Sequence, residues 1–95
     1  MRIDQEGLAQ LCHRHGITKL RLFGSLAREE GDEASDVDLL VDFEQRKSLL
    51  DLVRIERELS EHFGREVDLL TERALSPYLR DRIVREARVV YERAA

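Results

Sequence analysis

Hydrophobic residues change their spacing several times along the chain, and each spacing predicts a different kind of element. Leu8, Leu11 and Cys12 lie at positions i, i+3 and i+4, the spacing of a helix with one buried face. Asp4 is placed to cap this helix at its start, and Gly16 to end it in the left-handed conformation. The first element is therefore predicted to be a short amphipathic helix.

Three later segments have the composition of strands. Residues 17–23, ITKLRLF, alternate apolar and basic side chains, which is typical of a half-buried strand. Residues 37–43, VDLLVDF, are nearly continuous in apolar character, so this strand is expected to be central and covered on both faces. Residues 66–70, EVDLL, predict a third strand.

Two further helices are predicted between and after these strands. Ser48 and Gly64 are placed to begin and end a long helix. Its apolar stripe consists of Leu49, Leu52, Ile55, Leu59 and Phe63. Ser76-Pro77 begins a last helix, which is expected to reach about Arg88, with a short edge strand at RVVY. The whole order predicts an α/β (α+β) fold, a small mixed sheet flanked by helices.

Length, charge and cysteine content narrow the class of protein. A chain of 95 residues is expected to form a single domain over residues 1–95. The net charge of −4 gives no support to direct nucleic-acid or membrane binding, and no apolar run approaches a membrane span. The single cysteine excludes an internal disulfide. These properties favour a cytoplasmic protein.

Carboxylates at the start of two predicted strands indicate a metal site. Asp36 and Asp38 are two positions apart in an extended segment, so they point to the same side, about 6–7 Å apart. Two carboxylates this close repel each other, and a hard cation such as Mg²⁺ would remove the repulsion. Asp68 lies in the same VDLL context on the third strand and would complete a cluster if the strands are neighbours. Three acids could hold two Mg²⁺, the arrangement used for displacement at phosphorus.

A Gly-Ser turn after the first strand suggests where a phosphate would lie. Gly24 lets the backbone approach a bulky anion, and the amides of a short helix after it would point toward that anion. Ser25 adds a hydroxyl donor, and Arg28 could add a positive charge. A Gly-Ser turn, a lone Asp-X-Asp and a single strand-end acid are each common without function. Their combination at these spacings favours a phosphoryl or nucleotidyl transfer site.

These residues resemble a known signature. The stretch GSLAREEGDEASDVD, residues 24–38, is similar to the GSX10DXD motif of the minimal nucleotidyltransferases, the smallest branch of the DNA polymerase β superfamily. The resemblance continues through residues 39–44, 49–71 and 74–92, almost the whole chain. It implies a polymerase β-like palm in which Asp36, Asp38 and Asp68 bind Mg²⁺ and Gly24 and Ser25 hold nucleotide phosphates. Glu29 is a departure, because family members often carry glycine at this position.

The resemblance also implies an activity and a partner. Many such proteins resemble the antitoxin of a HEPN/MNT toxin–antitoxin pair, which implies transfer of AMP from ATP to a tyrosine hydroxyl of the HEPN toxin. A domain this small lacks the parts that larger relatives use to grip an acceptor, so we expect a protein acceptor or a second copy of the chain to complete the site. The main alternative is a catalytically silent binding module that neutralises its partner by occlusion. A glycosyltransferase or a small kinase is disfavoured by length and by the absence of a P-loop.

Overall fold

The computed structural model of the protein describes residues 4–32 and 34–93. Its elements follow the predicted order closely. They are α1 (Gln5–Arg14), β1 (Ile17–Phe23), β2 (Val37–Phe43), α2 (Leu49–Phe63), β3 (Val67–Leu70), a 3-10 turn (Glu72–Ala74), α3 (Pro77–Glu86) and β4 (Arg88–Glu92).

The four strands form one mixed sheet in the order β3-β2-β1-β4. β1 pairs antiparallel with β2 and with β4, whereas β2 and β3 run parallel. The predicted mixed sheet is confirmed, and β2 is central as expected. A parallel pair needs a crossover connection, and α2 provides it.

The core lies on both faces of the sheet. On one face, α1 and α2 contribute Leu8, Leu11, Ile55 and Leu59 to a large apolar cluster that includes Leu39 of β2. On the other face, Leu40 packs in a smaller cluster with Phe23 and Leu75, against which α3 lays Ile83 and Val84. Successive residues of β2 therefore enter two clusters, which explains its continuous apolar pattern.

The helix ends are set by the capping residues that the sequence indicates. Ser48 and Asp51 form a reciprocal capping box at the start of α2, and Gly64 ends that helix at φ +67°. Asp4 accepts a hydrogen bond from the Gly7 N–H at the start of α1. Gly16, at φ +68°, follows the end of α1 and turns the chain into β1.

Two predictions about the helices need correction. Leu49 was expected in the buried stripe of α2 but is 77% exposed, because the contacts of α2 with the core begin at Leu52 and the first turn extends past them. The last helix ends at Glu86 and not at about Arg88, because Ala87 takes an extended conformation and leads directly into β4. The predicted strand at RVVY is confirmed as β4, at the edge of the sheet.

Candidate active site

Two of the three predicted acids are direct neighbours on the sheet. The parallel register of β2 and β3 places Asp38 opposite Asp68. Both therefore project from the same face at the beginning of their strands. The condition stated for a carboxylate cluster, that these strands be adjacent and in register, is met for this pair.

The electrostatic environment of Asp38 is that of a crowded carboxylate. Its pKa is raised above the ordinary value, first because the side chain is partly removed from water and then because Asp68 and Asp36 place negative charge nearby. A side-chain hydrogen bond with Asp68 raises the pKa of Asp38 further. A cation at this point would relieve the repulsion and favour the ionised form.

Gly24 brings the Gly-Ser turn against the Asp38 carboxylate. Phe23, the last residue of β1, pairs with Asp38 in the antiparallel register, so the next residue lies beside the acid. A Cβ added at Gly24 would collide with the Asp38 carboxylate oxygen, and the backbone there is left-handed at φ +78°. Glycine is thus needed both for the turn and for the close approach to the acid.

The segment after Gly24 forms about one turn, as the sequence predicts, and does not continue as a regular helix. The Arg28 N–H donates to the Gly24 carbonyl (3.2 Å), and the Glu30 N–H donates to the Ser25 carbonyl (2.9 Å), but no regular helix follows. Within the described residues the Ser25 hydroxyl makes no hydrogen bond. It thus remains available as a donor on the turn that reaches Asp38.

Arg28 is engaged by carboxylates in this structure. Its Nε donates to Glu30 (3.1 Å) and its Nη1 to Glu86 at the end of α3 (3.3 Å). A phosphate bound by Arg28 would replace one of these partners. The predicted role of Arg28 at phosphate stays a prediction, and its contact with α3 is a feature that sequence reasoning missed.

Glu29 lies at the position where family members often carry glycine, and its backbone has the left-handed conformation that glycine adopts most easily. Its φ is +61°, and among the described residues it is the sole non-glycine with positive φ. Its side chain pairs with Arg88 at the start of β4 (3.4 Å). The chain thus keeps the left-handed turn expected of glycine while carrying a charged residue there.

Asp36 lies just outside β2 and is exposed. Over residues 4–32 and 34–93, no group of three His, Cys, Asp or Glu side chains is arranged so as to hold a metal ion. Asp38 and Asp68 are paired by the strand register, whereas Asp36 belongs to the loop that precedes it. Of the three predicted acids, Asp38 and Asp68 therefore form a pair on the sheet. Asp36 lies outside the pair but close enough to raise the pKa of Asp38.

Side chains of α2 hold the strand that carries Asp68. β3 is an edge strand, and its outward N–H groups at Val67 and Leu69 donate to the Ser60 hydroxyl (3.0 Å) and to Glu56 Oε2 (2.9 Å). Such contacts satisfy the free edge of a sheet and fix the position of the strand. The sequence offers one clue to this pair, because Glu56 and Ser60 are four residues apart on one helix face.

The donor set fits a hard divalent cation. All three candidate ligands are carboxylates, which Mg²⁺ prefers. Partial burial, followed by the charges of Asp68 and Asp36, raises the pKa of Asp38 in the absence of a cation. With glycine at position 24, the Asp38 carboxylate and the backbone of the turn lie side by side, with no side chain between them.

The acids lie on an open surface and away from the cavities described. One cavity of about 710 Å³ lies at the opposite ends of β2 and β3, where Phe43, Glu44 and Thr71 contribute to its lining. Another of about 510 Å³ lies at the end of α2. Neither is lined by Asp36, Asp38 or Asp68, so we assign the chemistry to the carboxylates and not to the larger cavity.

Comparison with known proteins identifies the family. The sequence pattern of the nucleotidyltransferase domain family matches residues 5–90. The chain belongs to this family. A Methanocaldococcus jannaschii protein, provisionally named a protein adenylyltransferase, is 53% identical over 74 residues, which cover 78% of this chain and 80% of that protein.

Solved structures agree with the assignment. A structure described provisionally as a minimal nucleotidyltransferase superposes with a TM-score of 0.73 at 47% identity, covering 87% of this chain and 85% of that one. A chain from the complex of a tri-AMPylated Shewanella oneidensis HEPN toxin with its MNT antitoxin shares the fold, with a TM-score of 0.68 at 18% identity over 94% of this chain and 70% of that one.

These findings confirm three predictions from the sequence. The minimal nucleotidyltransferase resemblance, the fold class and the classification as a nucleotidyltransferase enzyme all hold. Separately, no helix among the described residues is long and apolar enough to cross a membrane.

Proposed function

We propose that this nucleotidyltransferase is a Mg²⁺-dependent protein adenylyltransferase, which transfers AMP from ATP to a tyrosine hydroxyl of a HEPN toxin and so acts as an antitoxin. The observation that carries the proposal is the Asp38–Asp68 pair directly beside the Gly24 turn. The names of the relatives support adenylyl transfer, and the complex with an AMPylated HEPN toxin supports the partner.

Each candidate residue has a role in this reaction. Asp36 and Asp38 would hold two Mg²⁺, and Asp68 would bind the one on the acceptor side; the ions would stabilise charge on the attacking and leaving oxygens. The tyrosine oxygen forms a bond to the α-phosphorus as the bond from that phosphorus to the β-phosphate oxygen breaks. Asp68 accepts the proton of the tyrosine hydroxyl as the new bond forms. Gly24 and Ser25, with Arg28 if released by Glu86, hold the departing pyrophosphate.

The open surface around the acids supports a protein acceptor. Asp36 and Asp68 are exposed, and the two cavities described lie elsewhere. A site that transfers a nucleotidyl group must exclude water as a competing acceptor. A partner that places its tyrosine over Asp68 would cover the exposed side of the site and exclude water there.

The decisive experiment follows the phosphate that is transferred. The chain, Mg²⁺ and the product of the adjacent gene are incubated with ATP labelled on either the α- or the γ-phosphate. Label reaching the partner from the α-phosphate alone supports adenylyl transfer, and partner Tyr→Phe variants locate the acceptor. Asp38→Asn, which removes one of the candidate metal-binding carboxylates, is the control in which transfer should be lost.

The other outcomes have distinct meanings. Label from the γ-phosphate alone would indicate a kinase and contradict the proposal. A stable complex with no label from either position would favour the alternative, a binding module that neutralises its partner by occlusion.

A further inference from the structure

Arg65 connects the loop before Asp36 to the strand that carries Asp68. It follows Gly64 at the end of α2 and precedes β3 by two residues. Its Nη1 donates to the backbone carbonyls of Asp32 (3.0 Å) and Ser35 (3.2 Å). Ser35 is the residue directly before Asp36, so the guanidinium holds the backbone next to that carboxylate.

The loop that Arg65 binds is itself closed by hydrogen bonds. The Asp32 N–H donates to the Ser35 hydroxyl (2.9 Å), the Ala34 N–H to Asp32 Oδ1 (2.9 Å), and the Ser35 N–H to the Asp32 carbonyl (3.1 Å). Arg65 therefore binds backbone carbonyls whose residues, Asp32 and Ser35, are already joined by hydrogen bonds. The contact continues on the other side of Asp36, where the Val37 N–H donates to the Glu66 carbonyl (2.9 Å).

We propose that Arg65 is a positioning residue for Asp36, which sets how readily this carboxylate joins Asp38 and Asp68 around a cation. The inference rests on the metal-binding part of the proposed function. The segment 65–68 supplies Asp68 and also anchors the backbone on both sides of Asp36. Without Arg65, the backbone before Asp36 would lose its contact with segment 65–68 while the Val37–Glu66 hydrogen bond after it would remain. Ordering the third carboxylate would then cost part of the free energy of cation binding.

The test measures metal binding directly, without any transfer reaction. Mn²⁺ is titrated into the purified chain, and free Mn²⁺ is followed by electron paramagnetic resonance. We expect Arg65→Ala to weaken Mn²⁺ binding about tenfold. Arg65→Lys, which keeps a donor able to reach the carbonyls, should recover most of the loss. Arg57→Ala removes an exposed arginine of α2 with no hydrogen bond or salt bridge to other described residues, and should match wild type.

A second readout examines the loop without metal. Hydrogen exchange of the Ser35 and Val37 amides should accelerate in Arg65→Ala, while exchange of the β1 amides stays unchanged. If Arg65→Ala is too unstable to purify, Arg65→Met, which keeps the apolar stem but has no donor for the two carbonyls, takes its place in both measurements.

Two results would overturn the inference. One is equal Mn²⁺ affinity in wild type and Arg65→Ala; the other is an equal loss in Arg57→Ala, which would show a general effect of charge. Failure of the proposed function can be distinguished from failure of this inference. If the chain does not transfer AMP, no label from the α-phosphate of ATP reaches the partner, whatever the affinity for Mn²⁺. In the transfer assay, a positioning role predicts that Arg65→Ala regains the wild-type rate at high Mg²⁺.

Discussion

The raised pKa of Asp38 makes the stability of the fold depend on pH. Its pKa is raised by partial burial and by Asp68 and Asp36, so folding favours its protonated form. Such a group stabilises the fold at pH values below its ordinary pKa of about 3.9, and that contribution is lost as pH rises through the higher pKa of the folded state. At neutral pH the metal-free protein retains the repulsion.

Asp38→Asn should therefore raise the melting temperature of the metal-free protein at pH 7 while reducing AMP transfer on the order of 100-fold or more. The gain in melting temperature should shrink as pH falls through the raised pKa of the folded state toward about 4, and it should be lost below that pH, where the wild-type carboxyl is protonated. Mg²⁺ should raise the melting temperature of wild type but not of the variant. Calorimetry over pH, with and without Mg²⁺, checks this. A wild-type rate of transfer in Asp38→Asn would remove Asp38 from the site.

Glu29 holds a left-handed backbone at a cost that glycine would avoid. The left-handed conformation costs a non-glycine residue about 1–2 kcal/mol of conformational free energy. Glycine avoids this cost, but the larger entropy that it loses on folding lowers the free energy of unfolding by about 0.5–1 kcal/mol. Glu29→Gly should therefore raise the free energy of unfolding by about 0.5–1 kcal/mol, since the exposed pair with Arg88 contributes little. Urea denaturation measures the change.

The neighbouring glutamate gives a matched control for this prediction. Glu30 is also exposed and also paired, with Arg28, but its φ is negative. Glu30→Gly should lower the free energy of unfolding by about 0.5–1 kcal/mol. Effects of the same sign in both variants would contradict the assigned strain at Glu29.

The α2–β3 unit positions Asp68 through hydrogen bonds that reach across the edge of the sheet. Glu56→Ala would leave the part-buried Leu69 N–H without its acceptor and should lower the free energy of unfolding by about 1–2 kcal/mol. Glu56→Gln keeps an amide oxygen as acceptor and should lose less. Glu61→Ala, at an exposed position on the same helix, should change stability by less than about 0.5 kcal/mol. Denaturation of the three variants tests the order; equal losses in Glu56→Ala and Glu61→Ala would exclude the role in edge capping.

Most elements could be predicted because their signals are local. Strand periodicity located β1 and β2 with the bounds observed, and capping residues located both ends of α2. Leu49 was misassigned because helical periodicity reports which face a residue occupies, but not where the core ends along the helix. The register of Asp38 with Asp68 was stated as a condition, since strand adjacency depends on the whole topology.

The site was predicted by residue type, but its supporting contacts were not. Gly24, Asp38 and Asp68 are brought together because the turn and the strand ends have recognisable patterns. Arg65 and Glu86 act through partners about 30 and 58 residues away in sequence, Ser35 and Arg28. Such pairings between long polar side chains have no periodic signal, so a single sequence does not reveal them.

Considered as a whole, the molecule has an open surface that carries the candidate acids and a separate apolar patch. Leu49, Leu50 and Val53 lie together on the first turns of α2 and are 77%, 78% and 53% exposed. A patch of this kind is typical of an interaction surface. Under the proposed function, the HEPN toxin is the partner expected to cover it.

Leu50→Glu should therefore weaken the complex with the toxin at least about tenfold, since a charge would be buried without a partner. The free energy of unfolding should change by less than about 0.5 kcal/mol, because the side chain is exposed in the free chain. Leu79→Glu makes the same change on α3, at a side chain that is 48% exposed, and should leave the affinity unchanged. Isothermal titration with the toxin distinguishes the two surfaces: a loss of affinity confined to Leu79→Glu would place the interface on α3.

A second copy of the chain is the other expected occupant of the patch, and sedimentation of the chain alone tests it. A dimer that Leu50→Glu dissociates would assign the patch to a second copy of the chain.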